Sequence, residues 1–455
     1  MINTTLSSIA KQLGIQLACQ DVTFHGISSD TRTLAPGNLF IAIRGEQFDG
    51  HCFVAEAAEK GAFALLVSER VDSTLPQLLV EDTIQALGTI AGHWRNQFTL
   101  PLIGVTGSNG KTTLKNMLAA ILRAACDNQS ADVLATDGNL NNNIGLPLNL
   151  IRLNEKHRYA VLEMGMNHFG EIEYLTKLAK PTVAIINNAA AAHLEGLKDV
   201  AGVAKAKGEI FLGLDQNGTA ILNADDAHFN YWRELIGHRK MYSFGLKNPA
   251  DVTATLSAKQ TMTIKTPHGE IAVQLPLLGT HNIMNALAAT AGALALNIDL
   301  AAIKAGLESV QPAPGRMRQY VLANNIKVID DTYNANPFSL QAAIDALAEF
   351  SGTKILILGD MRELGENAEQ FHATAGQHIL AAGINYLFTL GSLSASATKS
   401  FGQNAQHFSD RDPLIAALKP LLKNDVTVLV KGSRSMRMEK IVADIIPKEQ
   451  LEHAH

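Results

Sequence analysis

Eight consecutive residues, Thr106-Gly107-Ser108-Asn109-Gly110-Lys111-Thr112-Thr113, set small, polar and cationic side chains in an order suited to holding a polyphosphate. The apolar run Pro101–Val105 precedes them. Apolar positions Leu114, Met117, Leu118, Ile121, Leu122 and Ala125 follow at helical spacing. A strand, a glycine turn and a helix N-terminus direct backbone N–H groups at an anion, and the helix dipole adds partial positive charge. Gly107, Ser108, Asn109 and Gly110 would form the cradle, with Thr113 beside it. Lys111 would reach the terminal phosphates, and Thr112 would offer a hydroxyl to magnesium. The full phosphate-loop pattern needs a further glycine at position 105, where this chain has Val105. The block reads as a nucleoside triphosphate site.

Other residues could complete such a site. Glu163 closes the apolar run Tyr159–Leu162 and falls on the rim of the phosphate loop. It is either a carboxylate for magnesium, which prefers hard oxygen ligands, or a solvated strand-end glutamate. His193 follows the run Thr182–Ile186 and a loop of small residues, as a metal ligand or a loop hydrogen-bonder. Lys205 and Lys207 begin a helical pattern whose apolar positions are Val203, Ala206, Ile210, Phe211 and Leu214. Lys207 shares that inward stripe and Lys205 points away. An ammonium turned inward needs a charge partner or a chemical change, unless it snorkels to the surface. Asn282 and Asn285 stand one turn apart, so both amides could meet one planar ligand edge. Alternatively, Asn282 caps the helix and Asn285 is solvated. Arg316 follows Pro312-Ala313-Pro314-Gly315, either as a linker arginine or as a cation brought to a transferring phosphoryl group.

Positioning these groups takes more than one core, since 455 residues correspond to about three domains. Residues 1–83 read as a small α/β module with runs Leu39–Ile43, Ala62–Val67 and Gln77–Val80 and a Pro36-Gly37 turn. Residues 84–313 hold the phosphate loop, entered through a helical pattern from Thr83 to Gln97, and strands then alternate with helices. Their apolar runs suit a parallel sheet covered on both faces. Residues 314–455 restart the rhythm with Ile326–Ile329, Ile355–Leu358, Tyr386–Leu390 and Val426–Val430, a Rossmann-like doubly wound parallel sheet. Polar clusters at Asp330–Asn334, Gly359–Glu363 and Lys431–Arg434 directly follow these runs. Open parallel sheets bind ligands beyond such strand ends. The expected fold class is therefore α/β in three units.

Composition narrows the partners. Lys and Arg number 38 against 43 Asp and Glu, a net charge of −5, so no broad basic face invites nucleic acid or anionic lipid. Cys19, Cys52 and Cys126 lie too far apart for a zinc knuckle or a disulfide framework, which fits a reducing cytoplasm. Met1–Leu6 lacks a signal-peptide pattern, and no apolar run approaches ~18 residues, so no membrane span is expected. The closing Leu451–His455 is too short for a metal site.

Together these blocks resemble the ATP-dependent Mur ligases of peptidoglycan synthesis, over nearly the whole chain. The first unit contributes Asp30-Thr31-Arg32, Pro36-Gly37, Gly45-Glu46 and Phe48–His51. The middle contributes Thr106–Thr113, Gly138–Asn142, Ala192–Gly196, Ala204–Phe211 and His281-Asn282. The last contributes Pro314–Arg316, Asp330–Asn336, Gly359–Met361, Glu363–Gly365 and Lys431–Arg434. The Asn139–Asn142 loop and Asp331–Asn336 point to members that add D-alanyl-D-alanine to a UDP-N-acetylmuramoyl-tripeptide. Thr332 stands where a serine is common, and a hydroxyl survives.

The resemblance implies roles position by position. Ser29, Asp30 and Arg32 would hold the uridine diphosphate end. Lys111 and its loop would bind ATP, with Asn282 at the adenine and Arg316 and Asp331 completing that site. Thr112, Glu163 and His193 would serve Mg²⁺, supported by a carbamylated Lys207. Asn139, Asn142, Asn334, Asn336, Lys431, Ser433 and Arg434 would contact substrate. The implied chemistry activates a carboxylate as an acyl phosphate, which the dipeptide amine attacks through a tetrahedral intermediate. A monomer is expected. A folylpolyglutamate synthase-like ligase would share the core without Asp30–Arg32. A guanine-nucleotide switch would carry an Asn-Lys-x-Asp motif, and this chain has no Asn-Lys dipeptide.

Overall fold

The strand Leu102–Thr106 forms where five consecutive residues are all buried, as befits the middle of a sheet covered on both faces. In this computed structural model, which describes residues 1–45, 48–127, 130–257 and 261–447, it lies inside a six-stranded sheet. The spatial order is Lys240–Phe244, Thr219–Asn223, Val183–Ile186, Leu102–Thr106, Tyr159–Glu163 and Val133–Ala135, all parallel. Glu46 and the closing Leu451–His455 lie outside the described residues.

Side chains along a strand alternate between faces, and the sequence divides accordingly. Leu102, Leu162, Ala184, Ile186 and Leu222 join one apolar core. Ile103, Val105, Val161, Val183 and Ile185 join another with the phosphate-loop helix, Lys111–Ala124. The first core runs on into the N-terminal unit through Ile2, Leu6, Phe24, Leu39, Leu66, Leu87 and Ile90. Ile2 N donates to Ile151 O at 2.8 Å, so the first unit shares the core of the second. Its own sheet orders Ile27–Ser28, Leu39–Ile41, Ala64–Val67 and Gln77–Leu79, with every pairing parallel. The helix expected from Thr83 forms over Thr83–Arg95, with Asp82 Oδ1 capping its first amides.

Two departures concern antiparallel pairing. Segments Thr253–Leu256, Thr261–Thr266 and Gly269–Gln274, expected to continue the strand–helix alternation, instead form a three-stranded antiparallel sheet. Met262, Ile264 and Val273 face the second core and alternate with Thr261, Thr263, Lys265 and the exposed Ala272 and Gln274, the alternation that suits a sheet wet on one side. The C-terminal sheet orders Arg318–Val321, Lys327–Asp331, Val426–Lys431, Thr353–Gly359, Tyr386–Leu390 and Ala405–Phe408. Its doubly wound core is parallel as expected, but the edge strand Arg318–Val321 pairs antiparallel. That strand is short and largely exposed, so it carried little apolar signal.

A third departure moves the paired lysines. Their helix spans Val200–Gly208, capped by Asp199 through Gly202 N at 2.7 Å, so Lys205 and Lys207 lie near its end rather than its start. A 3₁₀ turn, Glu209–Leu212, carries on the apolar pattern. No helix among the described residues is long and apolar enough to cross a membrane.

Candidate nucleotide and ligation site

The central strand continues through Val105 and Thr106, both fully buried, and the Thr106 hydroxyl donates to Met164 O at 3.0 Å. The turn therefore begins only at Gly107, which is why a valine suits position 105. Segment 187–190, after the neighbouring strand, fixes the loop. Ser108 N donates to Asn188 O at 3.0 Å and Asn109 N to Asn188 Oδ1 at 2.9 Å. Ala190 N donates to Ser108 Oγ at 3.0 Å. Gly110 adopts φ +79° ahead of the helix, and a Cβ there would strike the Asn285 and Asn187 amides. Lys111 Nζ folds back onto Gly107 O at 2.7 Å. Burial lowers its pKa, against the attraction of Glu163 and with repulsion from Arg316. Asn109 Nδ2 and Asn187 Oδ1 are buried without a hydrogen-bond partner among the described residues.

Glu163 is 2% exposed, which removes the solvated reading. Thr112 Oγ1 donates to its Oε2 at 3.0 Å and Asn141 Nδ2 to its Oε1 at 2.9 Å. A hydroxyl and a carboxylate this close to a phosphate loop are the hard oxygen donors that Mg²⁺ selects, so these residues fit that ion. His193, at φ +57°, places Nδ1 2.9 Å from Glu363 Oε2 of the C-terminal unit. That hydrogen bond holds the Glu363 carboxyl below its ordinary pKa. Lys207 is 2% exposed, so it does not snorkel, whereas Lys205 is exposed. Burial drives the Lys207 pKa well below that of a free lysine; Lys111 adds to this and Asp226 opposes it.

The C-terminal unit closes over the loop. Arg316 Nη2 donates to Thr112 Oγ1 at 3.0 Å, and its guanidinium lies 4.1 Å from the Tyr333 ring centroid. Arg434 sits 6.0 Å from the same ring and pairs with Glu439 at 3.4 Å. Asn336 caps the helix Pro337–Ala348 and donates from Nδ2 to Asn109 Oδ1 at 2.8 Å. Lys431 Nζ, almost fully buried, donates to Asp331 Oδ2 at 2.5 Å and Asn334 O at 3.1 Å. Ser433 Oγ accepts from Arg362 N at 2.8 Å. Asn282 does not cap its helix and Asn285 is not solvated, and both line the cleft. Gly279 holds the cap position, and both amides are buried. Asn285 Nδ2 donates to Asn282 Oδ1 at 3.1 Å, and Asn285 Oδ1 accepts from Asn187 Nδ2 at 2.8 Å. Beside them, His281 Nδ1 is buried without a partner, and burial lowers its pKa.

One cleft of about 1350 Å³ gathers Lys111, Glu163, His193, Lys207, Arg316 and Asp331. Asn282, Asn334, Asn336, Lys431, Ser433 and Arg434 also line it. Ser29, Asp30 and Arg32 do not; Arg32 instead forms an exposed ion pair with Asp30 at 2.6 Å. Asn139 is exposed outside the lining. Asn142 lines the cleft, but its Oδ1 accepts from Gly145 N at 2.9 Å at the start of helix Gly145–Leu150. Sequence reasoning gave no individual role to Asn141, Asn187, Asn188, Asp226 or Glu363. Asn187 and Asn188 had a usable signal, since they follow a strand on the same rim as Glu163. Glu363 lay in the strand-end cluster Gly359–Glu363, but its pairing was unreadable, because its partner lies 170 positions away in a different unit.

Fold and site define a nucleotide-dependent enzyme of three α/β units whose last unit reaches into the phosphate site of the second. Comparison with known proteins gives its family. "Mur ligase family, catalytic domain" matches residues 23–95, "Mur ligase middle domain" 105–293, and "Mur ligase, glutamate ligase domain" 315–434. The chain is 46% identical over 450 residues to UDP-N-acetylmuramoyl-tripeptide–D-alanyl-D-alanine ligase of Escherichia coli (strain K12), covering 97% of this chain and 98% of the relative. A crystal structure of MurF from Acinetobacter baumannii superposes with TM-score 0.90 at 35% identity, covering 98% and 99% of the two chains. MurF ligase from Thermotoga maritima in complex with ADP superposes at 0.82 with 27% identity, covering 95% and 99%. The chain belongs to the Mur ligase family.

Proposed function

We propose that this protein joins D-alanyl-D-alanine to UDP-N-acetylmuramoyl-tripeptide, forming a peptide bond as ATP is converted to ADP and phosphate in peptidoglycan precursor synthesis. The observation that carries this reading is the contact of Arg316 with Thr112 across the unit boundary, which puts a cation from the third unit on the phosphate loop. The relatives whose printed name is this activity match along almost their whole length.

A carboxylate is a poor electrophile, so it must be activated before an amine attacks. The tripeptide carboxylate takes the γ-phosphoryl group to give an acyl phosphate. The dipeptide amine then adds to the acyl carbon, and phosphate leaves from the tetrahedral intermediate. Lys111, released from Gly107 O, and Arg316 offset negative charge on the transferring group. Thr112 and Glu163 would hold magnesium, with His193 available once it leaves Glu363; the ion would neutralise phosphate charge. Asn282 sits at the adenine, and Asp331, paired with Lys431, borders the nucleotide. Ser29, Asp30 and Arg32 take the uridine diphosphate end beyond the cleft.

Lys207 supports the metal site as a carbamate. Burial pushes its pKa down and so favours the neutral amine, the form that adds CO₂ with loss of one proton. The product would put an anion where the buried amine stood, beside the site that would hold the metal. A monomer in a reducing cytoplasm, with units meeting near residues 83 and 313, completes the reading.

The test is ADP release by purified protein with each substrate withheld in turn. Release should require both the dipeptide and the UDP-muramoyl-tripeptide, and Lys111→Ala should abolish it. Substrate-dependent release by that variant would defeat the assignment. For the carbamate, Lys207→Ala should be inactive and partly rescued by a short carboxylic acid, and ¹³C-bicarbonate should give a carbamate resonance that Lys207→Ala lacks. A fully active unrescued variant would remove this role.

A further inference from the structure

Away from the reacting cleft, the phosphate-loop helix, the strand Val133–Ala135 and the end of the helix Leu300–Ser309 enclose a second cleft of about 770 Å³. Lys115, Arg123, Arg152 and His157 line it, and Asp137, exposed at its rim, is the one carboxylate among the described lining residues. None of Lys115, Arg123 and Arg152 pairs with a carboxylate among the described residues, though burial lowers the Lys115 pKa against the attraction of Glu163 and Asp137.

Their donors are also underused. Lys115 is 6% exposed, yet its ammonium makes one hydrogen bond, to Thr136 O at 2.9 Å, leaving two N–H groups. Arg123 Nε is buried with no acceptor. Arg152 Nη1 is engaged with Asn149 Oδ1 at 2.8 Å, which fixes the guanidinium and leaves its other donors. His157 Nδ1 accepts from Asn154 N at 3.1 Å, so the ring proton sits on Nε2. A buried donor without an acceptor costs on the order of 1–3 kcal/mol, and grouped unpaired cations repel one another. An oxyanion satisfies both.

We propose that this cleft is a second oxyanion site, separate from the phosphate loop, that takes inorganic phosphate or another ligand presenting a phosphate group. The site goes beyond the ligase reading, because a phosphate held here lies outside the reacting cleft. It is nevertheless wired to it: Lys115 stands one turn after Lys111 and bonds Thr136 O, while Thr136 Oγ1 accepts from Glu163 N at 2.8 Å. Phosphate released by turnover is a ligand of the right class.

The experiment is calorimetric titration of the full chain with sodium phosphate at fixed ionic strength. The phosphate loop is first saturated with magnesium and a non-hydrolysable ATP analogue. One phosphate site should remain. Arg123→Gln and Arg152→Gln should each weaken it about tenfold or more, as loss of a charge-assisted contact implies. Arg233→Gln, on another helix, should not. Absence of binding once the loop is filled overturns the proposal, as does equal weakening by all three variants, which marks diffuse charge attraction. If a variant folds poorly, wild-type hydrogen exchange decides. Phosphate should slow exchange of the amides of 131–137 in the analogue-loaded protein, and unchanged exchange there overturns the site.

Discussion

Arg316 and Lys111 both bring positive charge to the phosphate loop, but they arrive differently. Lys111 belongs to the loop's own helix, whereas Arg316 is delivered from another unit with its guanidinium against Tyr333. A planar guanidinium stacked on a ring is not replaced by a compact ammonium. Arg316→Lys should therefore behave like Arg316→Ala, each lowering kcat by roughly 10³-fold with little change in folding, as measured by steady-state ADP release. Near-normal turnover by the lysine variant would show that charge alone suffices. His372 makes a separate prediction. It is fully buried, accepts from Met361 N on Nε2 at 2.9 Å, and faces Ala368 O with Nδ1. Burial lowers its pKa below the unfolded value of about 6.5. Its folded form is thus neutral, and its contribution to stability is present above that value and lost as pH falls through the folded pKa. An NMR titration should place the His372 midpoint below about 6.5, and a midpoint above it would contradict this account.

At the scale of elements, the phosphate-loop helix is held from behind by the helix Leu300–Ser309. Ile303 and Leu307 share a core with Leu118, Ile121 and Leu122. Gly306 permits the approach, because a Cβ there would fall on the backbone of Ile121. Alanine is the better helix former by ~1 kcal/mol, yet backbone, unlike a flexible side chain, has little room to yield. Overpacking of this kind costs about 1–3 kcal/mol, so it should win. Gly306→Ala should lower the denaturation midpoint, and a raised midpoint would show that the two helices separate freely. The elements most legible in the sequence were those with continuous apolar runs, such as Leu102–Thr106 and Val426–Lys431. The antiparallel strands of residues 253–274 were missed because alternating threonines and short apolar positions resemble loop as much as strand.

Across the whole molecule, three polar side-chain contacts among the described residues tie the third unit to the second, Arg316 to Thr112, Asn336 to Asn109 and Glu363 to His193, and Leu278 packs against the third unit's core. All three converge on the nucleotide site, so closure and site assembly are one event. Glu363 uses the residue expected to serve the metal, which makes this pair the contact to break first. Without nucleotide, Glu363→Ala should increase the radius of gyration in small-angle scattering, and nucleotide with magnesium should bring it back. An unchanged radius in both conditions would show that the other two contacts suffice.

The sequence alone determined the phosphate-loop pattern, a carboxylate at a strand end, a lysine on an apolar stripe and the α/β class, while the solvation of Glu163 and the burial of Lys207 stayed open. Each follows from local spacing, because a strand, a turn and a helix set their own side-chain directions within a few residues. Only the tertiary structure decided that Asn141 rather than Asn142 bonds Glu163. It also turned Asn282 and Asn285 inward together and put Glu363 on His193. Those outcomes depend on distances between segments far apart in the chain, which are set by how covered sheets and their helices pack. No local pattern encodes that packing.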